Sequence, residues 1–404
     1  MIFRAGKPDT RRAPAVFAVA FVFVLLPAPS AAQRLAPMAE APGWGLWSAA
    51  VDSARAVTRA RMDSLGIPGW SVAVGVRRGA PSAEGGTGGI SGGVVWSEGF
   101  GWADVENRLP VAPETRFRIA SISKALTAAA VGILVEEGRL DLDAPVQRYV
   151  PDFPRKRWPV TTRLLGGHLA GVRHYHGLEF LNRKHYTDVV DALEIFADDT
   201  LLFEPGTRYS YSTYGWNLIS AVVQGAAEEH FLQFMRRRVL QPAGMKETVA
   251  EHTNSLIAHR ARYYVRDGEG RLLNAPWVDN SNKWAGGGYL STARDLVRYG
   301  LAYLDDTLMD PSTRDLLWTP QRTRDGTSTG YGIGWSSRVV DGRRQVWHTG
   351  GAVGGSTILM IWPEDGVVVA ILTNLQSVRH VESARAIASY FSHAAAAAPA
   401  GAPR

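Results

Sequence analysis

Apolar and polar residues follow two different periods along this chain, and each period predicts a different element. Over 48–65 apolar residues recur every three or four positions, which predicts an amphipathic helix. Residues 70–76 and 94–101 are rich in valine and alternate, so they predict an antiparallel pair of strands. The segment between them, 79–93, holds seven glycines and predicts a long hairpin loop. A helical spacing returns over 121–137, closed by a glycine.

The second half of the chain predicts helices first and strands afterwards. From about 140 to 310, loops alternate with helical segments such as 218–227 and 231–240, and strand signals are few. Strand patterns then return in the segments 332–340, 345–348, 356–362 and 367–372, before a last helix at 390–397. We therefore expect an α+β fold, in which an antiparallel sheet is flanked by helices and interrupted by an inserted, mostly helical subdomain. A cleft between the two parts is the expected place for a site.

The N-terminus predicts an export signal. Residues 1–32 begin with four basic side chains, continue with an apolar run over 13–26 and end in small residues, which predicts cleavage after Ala32. The apolar run is shorter than the ~20 residues that span a bilayer, which favours cleavage over a retained anchor. The Arg11–Arg12 pair also permits twin-arginine export. We expect a periplasmic or secreted protein with no membrane span after cleavage.

The remaining boundaries follow from composition. Residues 33–43 are rich in Ala and Pro and predict a tether, residues 44–393 predict the folded domain, and the Ala/Pro-rich residues 394–404 predict a disordered tail.

Composition and charge exclude several functions. The chain has 404 residues and a formal charge of +6, of which the predicted signal carries +3, and no long basic block follows, so no nucleic-acid partner is expected. Cysteine is absent, which excludes disulfides, thiolate zinc sites and a cysteine nucleophile. No His/Asp/Glu cluster has metal-ligand spacing and no glycine-rich phosphate loop follows a strand, so we expect neither a metal nor a cofactor.

A serine and a lysine at the start of one predicted helix are the first candidates for chemistry. Ser121 and Lys124 are three residues apart, so their side chains share one face of the helix. A serine hydroxyl needs a nearby base to become a nucleophile, and a desolvated lysine can supply it. The Ser-x-x-Lys pattern is short and occurs by chance in many chains, so it needs further support.

Two later segments add to this pair. Tyr211 follows a Pro-Gly turn, and nearby cations are expected to lower the pKa of its phenol enough for proton transfer. His348-Thr349-Gly350-Gly351 ends a predicted strand, where glycine lets a substrate backbone approach closely. The N–H groups of Gly351 and Ser121 are expected to form an oxyanion hole, and His348 to supply a hydrogen-bond donor or a group that titrates near neutral pH.

Taken together and in this order, the segments resemble the superfamily of class C β-lactamases and DD-peptidases. The resemblance covers about residues 48–391 and rests on the segments 117–124, 137–146, 205–211, 286–292 and 348–351. Within that superfamily the sequence is most similar to the mitochondrial β-lactamase-like serine protease branch and its bacterial relatives, through 118–124, 211–213, 278–288 and 348–354. The resemblance implies a serine peptidase or related acyl hydrolase acting on a peptide or small molecule, and it leaves an oligomer open.

Two positions depart from the β-lactamase pattern. Thr213 stands where an asparagine usually holds the substrate amide, and His348 stands where β-lactamases have lysine. A threonine offers one hydroxyl instead of an amide, and a histidine is often neutral at pH 7, so efficient penicillin hydrolysis is not expected.

Three functions remain open at this point. The first is a peptidase of DD-peptidase type that acts through a Ser121 acyl-enzyme. The second is a carboxylesterase or weak β-lactamase on the same scaffold, with Trp216, Trp284 and Tyr289 expected to line a pocket for an apolar acyl group. The third is a penicillin-binding or scaffold protein without turnover.

Overall fold

The structure is a computed structural model that describes residues 44–77 and 93–397. The predicted signal peptide at 1–32, the tether at 33–43 and nearly all of the hairpin loop at 79–93 lie outside the described residues. In the part of the tail that is described, the last helix runs on to Ala396, so helix replaces the predicted disorder at 394–396. These residues are alanines, and alanine has the highest helix propensity of any residue type. Ala395 is also buried.

The described residues form helices and strands with the following bounds. The helices are α1 Trp44–Leu65, α2 Ile122–Glu136, α3 Thr162–Gly166, α4 Thr213–Ala227, α5 Phe231–Phe234, α6 Trp284–Gly287, α7 Ala293–Leu304, α8 Pro311–Trp318 and α9 Val381–Ala396. The strands are β1 Gly69–Val76, β2 Gly93–Asp104, β3 Leu109–Pro110, β4 Phe117–Arg118, β5 Val249–Ala250, β6 Tyr264–Arg266, β7 Leu272–Asn274, β8 Tyr289–Ser291, β9 Ser336–Val340, β10 Arg343–Ala352, β11 Gly355–Trp362 and β12 Val367–Thr373.

One seven-stranded antiparallel sheet carries the fold, in the order β3-β2-β1-β12-β11-β10-β9. The strands from the two ends of the chain meet at the β1–β12 pair, where Trp70 lies opposite Thr373. The central strands β1, β11 and β12 are buried at every position, because helices cover both faces of the sheet. This arrangement confirms the predicted antiparallel sheet flanked by helices.

Helices pack against the two faces of the sheet. On one face, α1 and α9 meet through stacked rings of Trp47 and Phe391, with centroids 5.7 Å apart. On the other face, α7 lies so close that a Cβ on Gly75 would stand 2.4 Å from Val297. The predicted helical subdomain therefore ends before α7: residues 293–304 belong to the sheet layer, because their apolar face is buried on β1 and β12.

The inserted region is mostly helical but also holds short strands that the sequence pattern did not indicate. These are β5 to β8, which form a two-stranded sheet and part of a three-stranded one. The predicted helix at 231–240 starts as α5 and continues as a π-helix over Met235–Leu240. The predicted strand at 332–340 begins only at Ser336, because the residues before it form a turn with Gly334 at a φ of 78°. Across residues 44–77 and 93–397, no helix combines the length and apolarity needed to cross a membrane.

Candidate active site

A strained turn places Ser121 at the head of α2. Ala120 has a φ of 49°, in the left-handed region that costs a non-glycine residue about 1–2 kcal/mol. Ser121 follows as the N-terminal cap, and its hydroxyl caps no helix N–H. The turn thus leaves the Ser121 hydroxyl free to face the cavity, which it lines together with Ala120.

Lys124 lies beneath Ser121 and is fully buried. Its Nζ is 3.2 Å from the Ser121 Oγ, 3.1 Å from the Thr213 Oγ1 and 2.6 Å from the carbonyl oxygen of Gly286. A neutral amine has two N–H groups and one lone pair. All three oxygens lie within donor distance of the Nζ, and an amine that donates to Gly286 and Thr213 retains a lone pair that can accept a proton.

The surroundings of Lys124 favour this neutral form. Burial lowers the pKa of the Lys124 ammonium well below its usual value, and the positive charge of Lys283 lowers it further. No carboxylate pairs with Lys124 in the part of the chain that the structure describes. The direction of this shift favours the unprotonated amine, which is the form that can accept a proton from a neighbouring hydroxyl.

Tyr211 lies beside this pair, but its predicted protonation is wrong. The Lys124 Nζ is 4.9 Å from the centroid of the Tyr211 ring. Burial raises the pKa of the Tyr211 phenol well above its ordinary value, although its hydrogen bond with Ser121 opposes the shift. The expected lowering by cations fails because desolvation disfavours the phenolate more than its neighbours stabilise it. Tyr211 is thus a neutral phenol that can donate a proton.

Two histidines fix the start of α4, which carries Thr213. The Ser212 N–H donates to Nδ1 of His168 and the Thr213 N–H donates to Nδ1 of His174, both at 3.1 Å. These N–H groups belong to a helix N-terminus, where they have no partner within the helix. Burial lowers the pKa of His174 to about 4, so His174 remains a neutral acceptor.

His348 lies in the cavity wall, but its predicted role as a donor or a group titrating near neutral pH is wrong. Its Nδ1 is 2.6 Å from the carbonyl oxygen of Thr349, and its Nε2 is 2.8 Å from the hydroxyl of Tyr331. The carbonyl can only accept, so Nδ1 carries the proton and Nε2 accepts from Tyr331. Burial lowers the pKa of His348 to about 3, with Lys124 lowering it further. Both nitrogens are occupied and the ring is neutral at physiological pH.

The glycines after His348 bring β10 against the nucleophile turn. A Cβ on Gly350 would stand 2.2 Å from the carbonyl oxygen of Ile119, so only glycine fits there. Gly351 has open space where a Cβ would be, and it lines the cavity together with Thr349 and Ser121. The structure therefore brings the predicted site residues of β10 next to Ser121.

The cavity has a volume of about 640 Å³ and gathers residues from both parts of the fold. Its aromatic wall differs from the prediction: Trp216, Trp284 and Tyr289 are at most 1% exposed and do not line it. Trp216 and Trp284 belong to the core because α4 and α6, which carry them, pack on α2, and Tyr289 lies on the buried strand β8. The aromatic residues that line the cavity are Tyr175, Phe180, Tyr209, Tyr211 and Tyr331.

Sequence reasoning also missed two polar residues of this cavity, His174 and Lys283. Lys283 lies within the 278–288 stretch that carries part of the resemblance, which was the available signal. His174 lies six residues after His168 in a stretch without periodicity, so no local pattern pointed to it.

Arg118 and Glu251 form a buried ion pair next to the residues of the cavity wall. The Arg118 Nε lies 3.0 and 2.9 Å from the two oxygens of Glu251, and another Arg118 nitrogen donates to the carbonyl oxygen of Val353 at 2.9 Å. Asn280 donates to the same carboxylate at 2.6 Å. This network ties the strand before Ser121 to the turn that follows β10.

This fold is that of the β-lactamase and penicillin-binding class of proteins. The Beta-lactamase family model matches residues 54–391, so the chain belongs to the β-lactamase family. It is 33% identical to the human protein "Serine beta-lactamase-like protein LACTB, mitochondrial", over 85% of this chain and 80% of that protein. It is 27% identical to "Penicillin-binding protein 4*" of Bacillus subtilis, over 75% of this chain and 69% of the other.

A solved structure agrees with these sequence relatives. The octameric penicillin-binding protein homologue from Pyrococcus abyssi matches with a TM-score of 0.69 and 25% identity, over 83% of this chain and 75% of that one. These findings confirm the predicted superfamily and the resemblance to the mitochondrial branch. Family membership and relatives together indicate activity of the serine hydrolase type.

Proposed function

We propose that this protein cleaves peptide-like amide bonds through an acyl-enzyme on Ser121. The observation that carries the proposal is the buried Lys124, whose Nζ lies 3.2 Å from a Ser121 hydroxyl that opens into the cavity and whose pKa is lowered by burial. A serine with such a base at hydrogen-bond distance is an activated nucleophile.

The proposed reaction starts with proton transfer from the Ser121 hydroxyl to Lys124. The Ser121 oxygen then bonds to the substrate carbonyl carbon, and the N–H groups of Ser121 and Gly351 stabilise the oxyanion. Tyr211 donates its phenolic proton to the leaving nitrogen as the C–N bond breaks, and recovers a proton from Lys124. A water molecule, deprotonated by the same pair, then releases the acid and restores Ser121.

A free strand edge supports an extended peptide as the substrate. Strand β9 pairs with β10 only as far as Trp347, which lies opposite Ser336. From His348 to Ala352 the edge of β10 on that side has no partner strand among the described residues. A peptide can add to such an edge with main-chain hydrogen bonds while its scissile carbonyl lies near Ser121.

The aromatic wall favours an ester with an apolar acyl group as a second candidate substrate. Tyr175 and Phe180 line the cavity, with ring centroids 5.5 Å apart. Penicillin is disfavoured, since His348 is neutral and the Thr213 hydroxyl is engaged by Lys124.

Intact-mass spectrometry with Ser121→Ala as the matched control tests the proposal. The protein is mixed in turn with a D-Ala-D-Ala peptide, a nitrophenyl ester, penicillin and a fluorophosphonate. We expect adducts or turnover with the unchanged protein and none with Ser121→Ala, whose melting temperature should be the same. Adducts of equal yield on Ser121→Ala would refute the nucleophile. Adducts that form but are never released would favour a penicillin-binding protein without turnover.

A further inference from the structure

Lys283 is a lysine in the wall of the cavity that Ser121 lines. It is 5% exposed and lines the same cavity as Ser121. Its Nζ lies 3.5 Å from the carbonyl oxygen of Phe180, and 5.2 and 5.1 Å from the ring centroids of Tyr175 and Phe180. Within residues 44–77 and 93–397 no carboxylate forms an ion pair with it.

The two carboxylates that influence Lys283 are held by other groups. Glu251 accepts from Arg118 with both oxygens and from Asn280. Asp279 accepts from the Ser281 N–H at 2.8 Å, and its other oxygen contacts His185 and Thr253 at 2.9 and 2.8 Å. The charge of Lys283 is therefore not cancelled by a direct partner and acts on the cavity.

Lys283 and Lys124 approach the same turn, α6. The Lys124 Nζ donates to the carbonyl oxygen of Gly286, while the Cδ of Lys283 lies 3.9 Å from where a Cβ on Gly287 would stand. Two like charges at such a desolvated site disfavour each other. The other titratable groups around Lys124 are all neutral at pH 7: Tyr211, His168, His174 and His348.

For Lys283 to act on Lys124 in this way, Lys283 must be protonated while Lys124 is unprotonated. Burial, with Arg118 as a smaller cause, lowers the pKa of Lys283 to about 8, so this lysine is mostly protonated at neutral pH. Burial also lowers the pKa of Lys124 well below its usual value, and the charge of Lys283 is a second cause.

We infer that Lys283 is a positioning residue of this site, whose ammonium keeps the Lys124 amine unprotonated and thereby available as the base for Ser121. The inference rests on the proposed serine hydrolase function. It assigns Lys283 no contact with the reacting atoms.

The test is the pH dependence of acylation for Lys283→Met and Lys283→Arg. The rate of Ser121 acylation by a small neutral nitrophenyl ester is measured from pH 5 to pH 10. Removing the positive charge makes Lys124 easier to protonate. The acidic midpoint, which is the pH at which the acylation rate has fallen to half of its maximum on the acidic side, therefore moves to higher pH in Lys283→Met. At a pH below both midpoints, we expect acylation of Lys283→Met to fall about tenfold relative to the unchanged protein, as for a midpoint shift of about one unit.

Two further results belong to the same expectation. Above about pH 9 the two rate curves should converge, because Lys283 of the unchanged protein has then lost its own charge. Lys283→Arg retains the charge and should retain the acidic midpoint, which a merely structural role would not predict. Lys246→Met, at an exposed lysine outside the cavity, is the matched control and should change nothing.

Fluorophosphonate labelling at pH 9.5 counts competent sites in each variant and separates the possible failures. An unchanged midpoint in Lys283→Met with full labelling would overturn the inference while the proposed function stands. The inference would also be overturned if the only change in Lys283→Met were a raised KM for anionic esters, because Lys283 would then bind substrate. If Lys283→Met does not fold, Lys283→Gln replaces it with the same expectation. An unchanged protein that is not labelled at any pH would overturn the proposed function, and the inference with it.

Discussion

At the scale of single residues, burial decides which protons the site can move. Ser121 and Lys124 are three residues apart on one helix, so their contact follows from local geometry. The protonation states of Lys124, Tyr211 and His348 do not, because each is set by desolvation among groups from distant segments. In the proposed reaction the Lys124 amine accepts a proton and the Tyr211 phenol donates one.

The first prediction concerns the pH profile of the unchanged protein. In the proposed reaction Lys124 acts only without its extra proton, so acylation should be lost as the pH falls through the lowered pKa of Lys124. His348, with a pKa of about 3, carries no charge above pH 5, so His348→Gln should leave the acidic midpoint in place. Stopped-flow acylation by a nitrophenyl ester measures both profiles. A midpoint that moves in His348→Gln would show that the loss of acylation at low pH is caused by protonation of His348.

At the scale of elements, two adjacent glycines connect β10 to the start of α2 in different ways. Gly350 faces the nucleophile turn, where a Cβ would meet the carbonyl oxygen of Ile119 and the Thr357 hydroxyl, both at 2.2 Å. Gly351 faces the open cavity. Strand β10 therefore packs against the nucleophile turn at Gly350. At Gly351 its backbone faces the cavity, where a substrate is proposed to bind.

The second prediction compares alanine at these two positions. Gly350→Ala forces the strand and the turn apart, and overpacking of this kind costs about 1–3 kcal/mol of unfolding free energy. We expect a lower melting temperature and weak fluorophosphonate labelling for it. Gly351→Ala meets no atom within 4 Å, so its melting temperature should be unchanged. Equal melting temperatures for the two variants would contradict the close approach.

At the scale of the whole molecule, a buried charge network joins segments that are far apart in the sequence. Arg118 binds Glu251 and the carbonyl oxygen of Val353, which lie 133 and 235 residues away along the chain. The Arg118 and Glu251 side chains are 8% and 2% exposed. The network therefore connects the sheet, the helical part and the catalytic turn.

The third prediction measures what this network contributes to stability. Arg118→Met leaves Glu251 buried without its cation, which typically destabilises by about 3–5 kcal/mol. Arg343→Met removes a comparable pair with Asp365, but Arg343 is 59% exposed and such pairs contribute about 0–1 kcal/mol. Urea unfolding of both variants gives the comparison. Equal unfolding free energies would mean that solvent screens the Arg118 pair as well.

Strand and helix periodicities sufficed to predict the sheet, the helix that carries Ser121 and the helical insertion, because each depends on neighbours in sequence. They failed for α7 and for the short strands β5 to β8, whose positions depend on what they pack against. The predicted signal peptide at 1–32 stays a prediction, as do the catalytic roles of Ser121, Lys124 and Tyr211.

The sequence by itself determined the family, the antiparallel sheet and the residue types of the site, since motifs and periodicities are local properties of a chain. Only the tertiary structure decided that Tyr211 and His348 are neutral and that Lys283 lines the same cavity as Ser121. The physical reason is that charge and protonation depend on distance and on exclusion of water, and both arise only when segments separated by a hundred residues or more come together.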